Sequence, residues 1–533
     1  MMKKHIFFLW VVLAMIFASC AKRGNITGGL KDTIAPVLQS SVPKNFSTDF
    51  NVQEIRINFN EYVKLKDINK QLIVSPPMKY APMVSPSNAS KFIKIKIKDT
   101  LQPNTTYSFN FGNSIQDNNE GNPYQQFKYV FSTGSYIDSL KLGGIIQDAY
   151  SKKVENYVSV MLYEVNETYN DSVIYKQNPR YVTNTLDSNR TFILENLKEG
   201  KYLLVAMKDL NNNYRLESKK EKIGFHPKLI QIPNDTLFSV SLFNEIPVFK
   251  ATRPYQASGN RIVLPIEGNG KDALISIKNG SQDIPVKITK MPKQDSLQVW
   301  FKPIKTDSVQ LFAKKNNFEK EFTVKMKNMK NDTLSFSPNI SGTLHPREKF
   351  SITSSIPVEN IDKSKITILR KDSTQVDFTT SYNDFDQKIT LDFAHEPLER
   401  FRITALPGAF TDLLERPNDT LSFSLGTQDL NEYGNLRLTL ENVKRFPVIV
   451  EITDPKGELV TSGYSDGEKV LDFNGLQPNT FTIRIIYDDN KNKVWDTGNF
   501  IEKRQPEEII FYPSDIIVRA NWDVDERVTL PPH

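Results

Sequence analysis

Short runs in which apolar and polar residues alternate recur from one end of the chain to the other, and they limit its folding more than any other feature. Examples are IRINF (55–59), FIKIKIK (92–98), YSFNF (107–111), SLQVWF (296–301) and FTIRIIY (481–487). Successive side chains of a strand point to opposite faces, so each run offers one face to a core and one to water. Asn, Asp, Gly or Pro bounds these runs, and those residues turn a chain. No stretch after residue 19 keeps a helical period for three turns. The expected fold class is therefore all-β, with sandwiches in series.

The first 20 residues are different. Lys3 and Lys4 precede an unbroken apolar run, IFFLWVVLAMIF (6–17), and the small pair Ala18 and Ser19 leads into Cys20, the only cysteine among 533 residues. A positive start and a 12-residue apolar stretch form a secretory leader, too short for the roughly 20 residues that span a bilayer. The small residues before Cys20 form a lipobox-like ending, with Phe17 where Leu is usual. Residues 1–19 are read as a lipoprotein signal peptide and Cys20 as the lipidated first residue of the mature protein. Acyl chains there insert at about 0.8 kcal/mol per buried CH₂. Residues 20–32, with Gly24, Gly28 and Gly29, form a flexible tether.

Removal of the leader leaves 514 residues, enough for three to five domains. The mature chain carries 66 basic and 62 acidic residues, a net charge near +4. That balance is too even to predict a nucleic-acid partner, and none is expected. With no second cysteine, the exported domains take no stability from disulfides.

Family resemblance enters at the first domain. The segments DTIAPVLQSSVPKN (32–45), IRINFNEYV (55–63), LQPNTTYSFNFGNSIQDNNEGNP (101–123) and FKYVFSTG (127–134) resemble, in that order, the SbsA Ig-like domain of bacteria. This assigns 33–136 to an Ig-like sandwich. Residues 140–245, with GGIIQDAYSKKVENYVSVMLYEVN and FILENLKEGKYLLVAMKDLNNN, are similar to prealbumin-like or carboxypeptidase-regulatory-like sandwiches. Residues 246–335 read as a β-sandwich of unassigned type. The stretch 399–428 echoes 105–134, so 336–428 is expected to be a second Ig-like domain. Likewise 475–496 echoes 196–217, which makes 433–528 a second prealbumin-like sandwich. Strung end to end, such modules would form an arm reaching over about 100 Å.

The paired echo also carries the sharpest local pattern. Asp209, Asn211, Asn213 and Glu217 align with Asp488, Asn490, Asn492 and Asp496, giving oxygen side chains at positions 1, 3, 5 and 9 of each loop. Alternate oxygens can wrap Ca²⁺, the one cofactor the sequence suggests. An EF-hand would place Gly at position 6, where Tyr214 and Lys493 stand, and Glu at position 12, where Lys220 and Asn499 stand. The other reading is that Asp and Asn close the loops through Asx turns.

Catalytic patterns are missing. His226, His345 and His395 fall in separate segments and share no HExxH spacing, and EGNGKDA (267–273) has neither the glycine spacing nor the Ser/Thr of a phosphate loop. The chain is read as a non-enzyme.

A dispersed triplet, Asp then Ser or Thr then an aliphatic residue or Thr, occurs at Thr33, Thr100, Ser139, Ser172, Thr236, Ser296, Ser308, Thr333, Ser373 and Thr420. It resembles the O-glycosylation sequon of Bacteroidota, the phylum whose lipoproteins the chain resembles most. Equally, Asp-Thr and Asp-Ser can simply open strands after a turn.

The whole layout resembles Ig-like lipoproteins of Bacteroidota, some of them accessories of the outer-membrane protein assembly (BAM) machinery. The resemblance implies a membrane-anchored arm that contacts an outer-membrane β-barrel protein complex, with the cell surface slightly preferred over the periplasmic face. Lys22 and Arg23, where surface lipoproteins usually carry acidic residues, point the other way. The alternative is a surface carbohydrate-binding or glycan-degrading lipoprotein. It would need an aromatic platform, and the mature chain has only Trp300, Trp495 and Trp522.

Overall fold

The computed structural model describes residues 32–153, 155–186 and 190–531. The expected signal peptide, Cys20 and the expected tether up to residue 31 lie outside the described residues. The chain divides into two compact units, 1–138 and 139–533. Among the described residues helix is confined to the four-residue pieces Ile68–Gln71 and Val173–Lys176 and two 3₁₀ turns, and no helix is long and apolar enough to cross a membrane. The fold is all-β, as the alternation predicts.

In the first unit one sheet has the strand order Leu38–Val42, Glu54–Leu65, Ser90–Lys96, Met83–Ser85, with Ile115–Asp117 also paired to the second. The facing sheet is Ile73–Ser75, Thr106–Asn110, Lys128–Ser132. Strand Ser90–Lys96 shows why these runs become strands: Ile93 and Ile95 are buried while Lys94 and Lys96 face outward. The core between the sheets is rich in rings, with Phe131 against Phe50, Tyr107 and Phe109.

Among the described residues the second unit holds four further large cores, spanning 142–242, 249–324, 344–425 and 436–530. The first and last of these belong to modules of one topology. In the 140–245 module a three-stranded sheet, Thr191–Leu197, Leu140–Asp148, Phe238–Leu242, joins its last strand in parallel. In the 433–528 module Val470–Leu476, Gly434–Glu441 and Asp523–Thr529 do the same. Each faces a five-stranded sheet built around a long central strand, Gly200–Met207 or Asn479–Tyr487. Gly144 is required at the parallel crossing, because a Cβ there would meet the Phe238 carbonyl oxygen at 2.1 Å. The 336–428 module repeats the strand order of the first unit, with Phe336–Pro338, Phe350–Ser354, Lys388–Phe393, Phe378–Asn383 in one sheet. The middle module pairs a five-stranded sheet with a four-stranded one ending in Phe318–Lys325, whose exposed lysines and glutamates guard a sheet edge.

Sandwiches strung end to end are not what the second unit contains, and this corrects the expectation of an extended arm. The 433–528 module returns to pack on the 140–245 module. Phe500 meets Phe225 edge-on at 5.2 Å, Trp495 lies 4.6 Å from Tyr150, and Thr497 Oγ1 donates to the Asn244 carbonyl at 2.6 Å. A Cβ on Gly498 would strike the Phe243 ring at 2.5 Å, so glycine lets the returning segment lie flat. The seam contains a buried ion pair, Arg484 with Glu451, capped by Tyr150, whose ring lies 3.9 Å from the guanidinium carbon and whose hydroxyl accepts from Arg484 at 2.8 Å. The middle and fourth modules are joined too. Strand Ser296–Trp300 is buried at every position, not on one face only, because Trp300 packs against Ile356 and Leu413 of the next module.

Candidate functional site

The two Asp-Asn loops each follow the central strand of their module, so the repeated fold sets them in equivalent places. Asp209 Oδ1 accepts the backbone N–H groups of Asn211 and Asn213 at 3.3 and 3.2 Å, and its Oδ2 accepts that of Tyr214 at 2.8 Å. Asp488 repeats this, taking the N–H of Asn492 at 3.1 Å and of Lys493 at 2.8 Å. Tyr214 and Lys493, at position 6, adopt left-handed backbone with φ of 57° and 67°. The chain therefore makes the turn a glycine would make, at the steric cost a side chain carries there.

The amide side chains serve the same closure. Asn211 Nδ2 donates to Glu217 Oε1 at 2.8 Å, and Asn490 and Asn492 both donate to Asp496 Oδ2, at 2.5 and 2.6 Å. The oxygens of Asn213 and Asn492 accept the N–H of Arg215 and Val494.

Each loop has a further carboxylate that sequence reasoning missed. Glu221 accepts the N–H of Leu210 and of Glu217, both at 2.9 Å, and Glu507 accepts those of Asp489 and Asp496, at 2.8 and 3.0 Å. Burial raises the Glu507 carboxyl above the ordinary glutamate range, helped by the charges of Asp496 and Asp488 and opposed by those two N–H donors. Glu221 follows its Asp by 12 residues and Glu507 by 19, so no fixed spacing could reveal the pair.

As placed, the oxygens of both loops hold backbone donors, and the amides turn nitrogen toward the carboxylates. This is the arrangement of an Asx-closed turn. If Asx turns alone close the loops, millimolar Ca²⁺ leaves the melting curve unchanged. A calcium-bound form would need the Asn amides turned round. With a Kd near about 0.1 mM it would reveal itself as about 1.4 kcal/mol of stabilisation, lost on chelation.

The remaining candidate residues do not assemble. Thr33, Thr100, Ser139, Thr236, Thr333, Ser373 and Thr420 are exposed, and Ser172 and Ser308 are half-buried. Ser296 is a correction: it is buried, 8% exposed, at the start of a strand covered on both sides, so a glycan has no access to its hydroxyl in the folded chain. His226, His345 and His395 stay apart, bonded to the carbonyls of Lys228, Gly475 and Phe393. The tryptophans form no platform. Trp300 is buried, Trp495 covers Tyr150, and exposed Trp522 has the Arg519 guanidinium 4.8 Å from its ring.

One more repeated device lies in the first unit and in the 336–428 module. In the first unit Asp117 is buried in a turn where its carboxylate accepts four successive N–H groups, from Asn119 to Asn122. Those donors hold its carboxyl below the ordinary range against the opposing effect of burial. Residues 32–133 match the bacterial Ig-like domain family. Asp412, buried in the 336–428 module, takes the N–H of Leu414 and Arg416 and the Arg416 guanidinium, which resembles the Asp117 turn with an arginine added.

Among solved structures, domains 1–6 of the surface layer protein SbsC are similar at 12% identity over 87% of this chain and 67% of that one, with a TM-score of 0.15. The Bacillus anthracis TIE protein aligns at 10% identity over 97% of this chain and 77% of its own, TM-score 0.14. The titin fragment A168169 aligns at 11% identity over 34% and 97%, TM-score 0.15. Scores this low carry no argument about how the modules are arranged. No curated protein matches the chain.

Proposed function

We propose that this multidomain Ig-like protein is a non-enzymatic lipoprotein, anchored in the outer membrane through Cys20, that supports an outer-membrane β-barrel complex by direct contact. One observation carries the contact. On the outer face of the 140–245 module's three-stranded sheet, Ile145, Ile193 and Leu237 are 46, 57 and 81% exposed, gathered around the bare Gly143. The 433–528 module serves as an internal control. By strand register the same positions hold Thr439, Asp472, Asp525 and Arg437, and Arg437 binds Asp472 through two hydrogen bonds of 2.7 and 3.1 Å. The topology thus tolerates a charged face, and an aliphatic one is a choice that calls for a partner.

The rim says what kind of partner. Lys141 pairs with Glu195 at 2.9 Å, and Gln147 donates to Ser241 at 2.9 Å, so the polar groups around the patch satisfy one another. A neutral aliphatic protein surface fits such a patch better than an anionic headgroup or a sugar. Tethering in the same membrane raises the effective concentration, so a small patch suffices.

The test is a gentle-detergent pull-down of the tagged full chain with mass spectrometry. Wild type should recover a barrel complex. The double variant Ile193→Asp/Leu237→Asp should recover at least about tenfold less, since each buried aliphatic side chain contributes about 1.5–3 kcal/mol. Asp472→Ala, on the charged face, should behave as wild type, and Cys20→Ala should lose both fatty-acid label and most of the recovery. Equal recovery by wild type and the double variant would overturn the reading.

A further inference from the structure

We propose that the seam between the 336–428 and 433–528 modules is a pH-sensitive latch that neutral His345 closes. The inference is independent of the functional reading above. His345 is a side chain that both bridges two modules and can change charge near neutral pH.

His345 follows Leu344, a core residue of its own module, and its ring crosses to the next one. Nε2 lies 2.7 Å from the carbonyl oxygen of Gly475, and the ring stands edge-on to Tyr433 at 4.9 Å and 82°. A carbonyl only accepts, so Nε2 carries the hydrogen. Nδ1 accepts the backbone N–H of Arg347 at 3.1 Å and must therefore be bare. Both nitrogens are committed, and the commitment specifies a single neutral tautomer.

The far side is fixed as firmly. Gly475 has φ of 67° and donates its own N–H to Asn435 Oδ1 at 3.0 Å, and buried Tyr433 donates its hydroxyl to Gln428 Oε1 at 2.9 Å. The ring thus sits between two supports that have little room to follow it.

Protonation puts a hydrogen on Nδ1, directly against the Arg347 N–H, and turns a bond into a donor–donor contact. It also places a cation beside the Arg347 guanidinium. The charged groups acting on the ring are Arg347 and Glu348 from its own segment; from the facing side, Glu432 acts on Tyr433, and the Gly475 turn contributes a carbonyl. Glu348 and that carbonyl favour the imidazolium, but desolvation and then Arg347 outweigh them, and the imidazole is held below its ordinary range. The sign follows directly. A closed seam prefers the unprotonated ring, so the latch is fully closed above the free imidazole value of about 6.5 and loosens as pH falls through and below it.

Amide hydrogen exchange of the full chain at pH 7.5 and 5.5, corrected for intrinsic exchange, tests this at 433–436 and 473–477. Wild type should exchange several-fold faster there at pH 5.5, while strand Val448–Thr453 stays protected. His345→Gln can still donate to the Gly475 carbonyl and has no proton to gain, so its seam should not respond to pH. His345→Ala should be loose at both values. Unchanged wild-type exchange between the two pH values, or a His345→Gln response as large as wild type's, would overturn the latch.

Discussion

Replacing Arg484 with alanine will destabilise the 139–533 unit by about 3–5 kcal/mol, because it leaves the Glu451 carboxylate buried with no charge to meet. The two residues are 6 and 8% exposed, in adjacent strands Asn479–Tyr487 and Val448–Thr453, and opposite each other in the register. Tyr150, from the other related module, completes the site. Its carbonyl accepts from Arg484 at 3.1 Å, its hydroxyl from Arg484 at 2.8 Å, and its ring covers the guanidinium. One substitution should therefore weaken both the module and the seam. Trp495, packed on Tyr150, reports on that seam in urea if exposed Trp522 is first replaced by Phe and the signal of Trp300 is subtracted with a Trp495→Phe control. The paired replacement Arg484→Leu with Glu451→Leu should recover most of the loss, since it removes both desolvation penalties together. A cost below about 1 kcal/mol for Arg484→Ala, the range of exposed pairs, would mean that water reaches the site.

The same pair shows where the sequence stops being legible. Alternation reads Arg484 in FTIRIIY and Glu451 in VIVEIT as solvent-facing positions of strands with one buried face. That is correct for the lysines of Ser90–Lys96, whose outer face meets water. It fails at Arg484 and Glu451 because a second sandwich covers their outer face, and the covering residue, Tyr150, lies hundreds of positions away. The pattern carries information about a strand and its own core. Whether a face is later capped depends on how modules return on each other, which no local period records. The paired loops divide in the same way. Asp209 and Asp488 are visible because the repeat aligns them, whereas Glu221 and Glu507 close the same turns from different distances along the chain.

The middle seam should be as sensitive as the first, for a different reason. Trp300→Ala is expected to cost about 3–5 kcal/mol, the range for removing a buried aromatic side chain and leaving a cavity. The ring fills the space between Ile356 and Leu413 of the fourth module, and its Nε1 donates to Thr289 Oγ1 at 2.9 Å. Around it the linker is stitched in place. Arg261 donates to Gln298 at 2.6 Å and to Asp332 at 3.0 Å, Ser258 donates to Asp332 at 2.6 Å, and Arg416 reaches the Asp332 carbonyl at 2.9 Å. Loss of the ring should therefore expose 329–335 to protease as well as lower the melting temperature. Trp300→Phe separates the contributions. It keeps most of the apolar contact but gives up the Thr289 hydrogen bond, a net loss of about 1 kcal/mol on top of the smaller cavity. If the two variants were equally damaging, the indole N–H would be the chief support of the seam. If Trp300→Ala left 329–335 as resistant as in wild type, the polar stitching through Asp332 would be holding the modules without the ring.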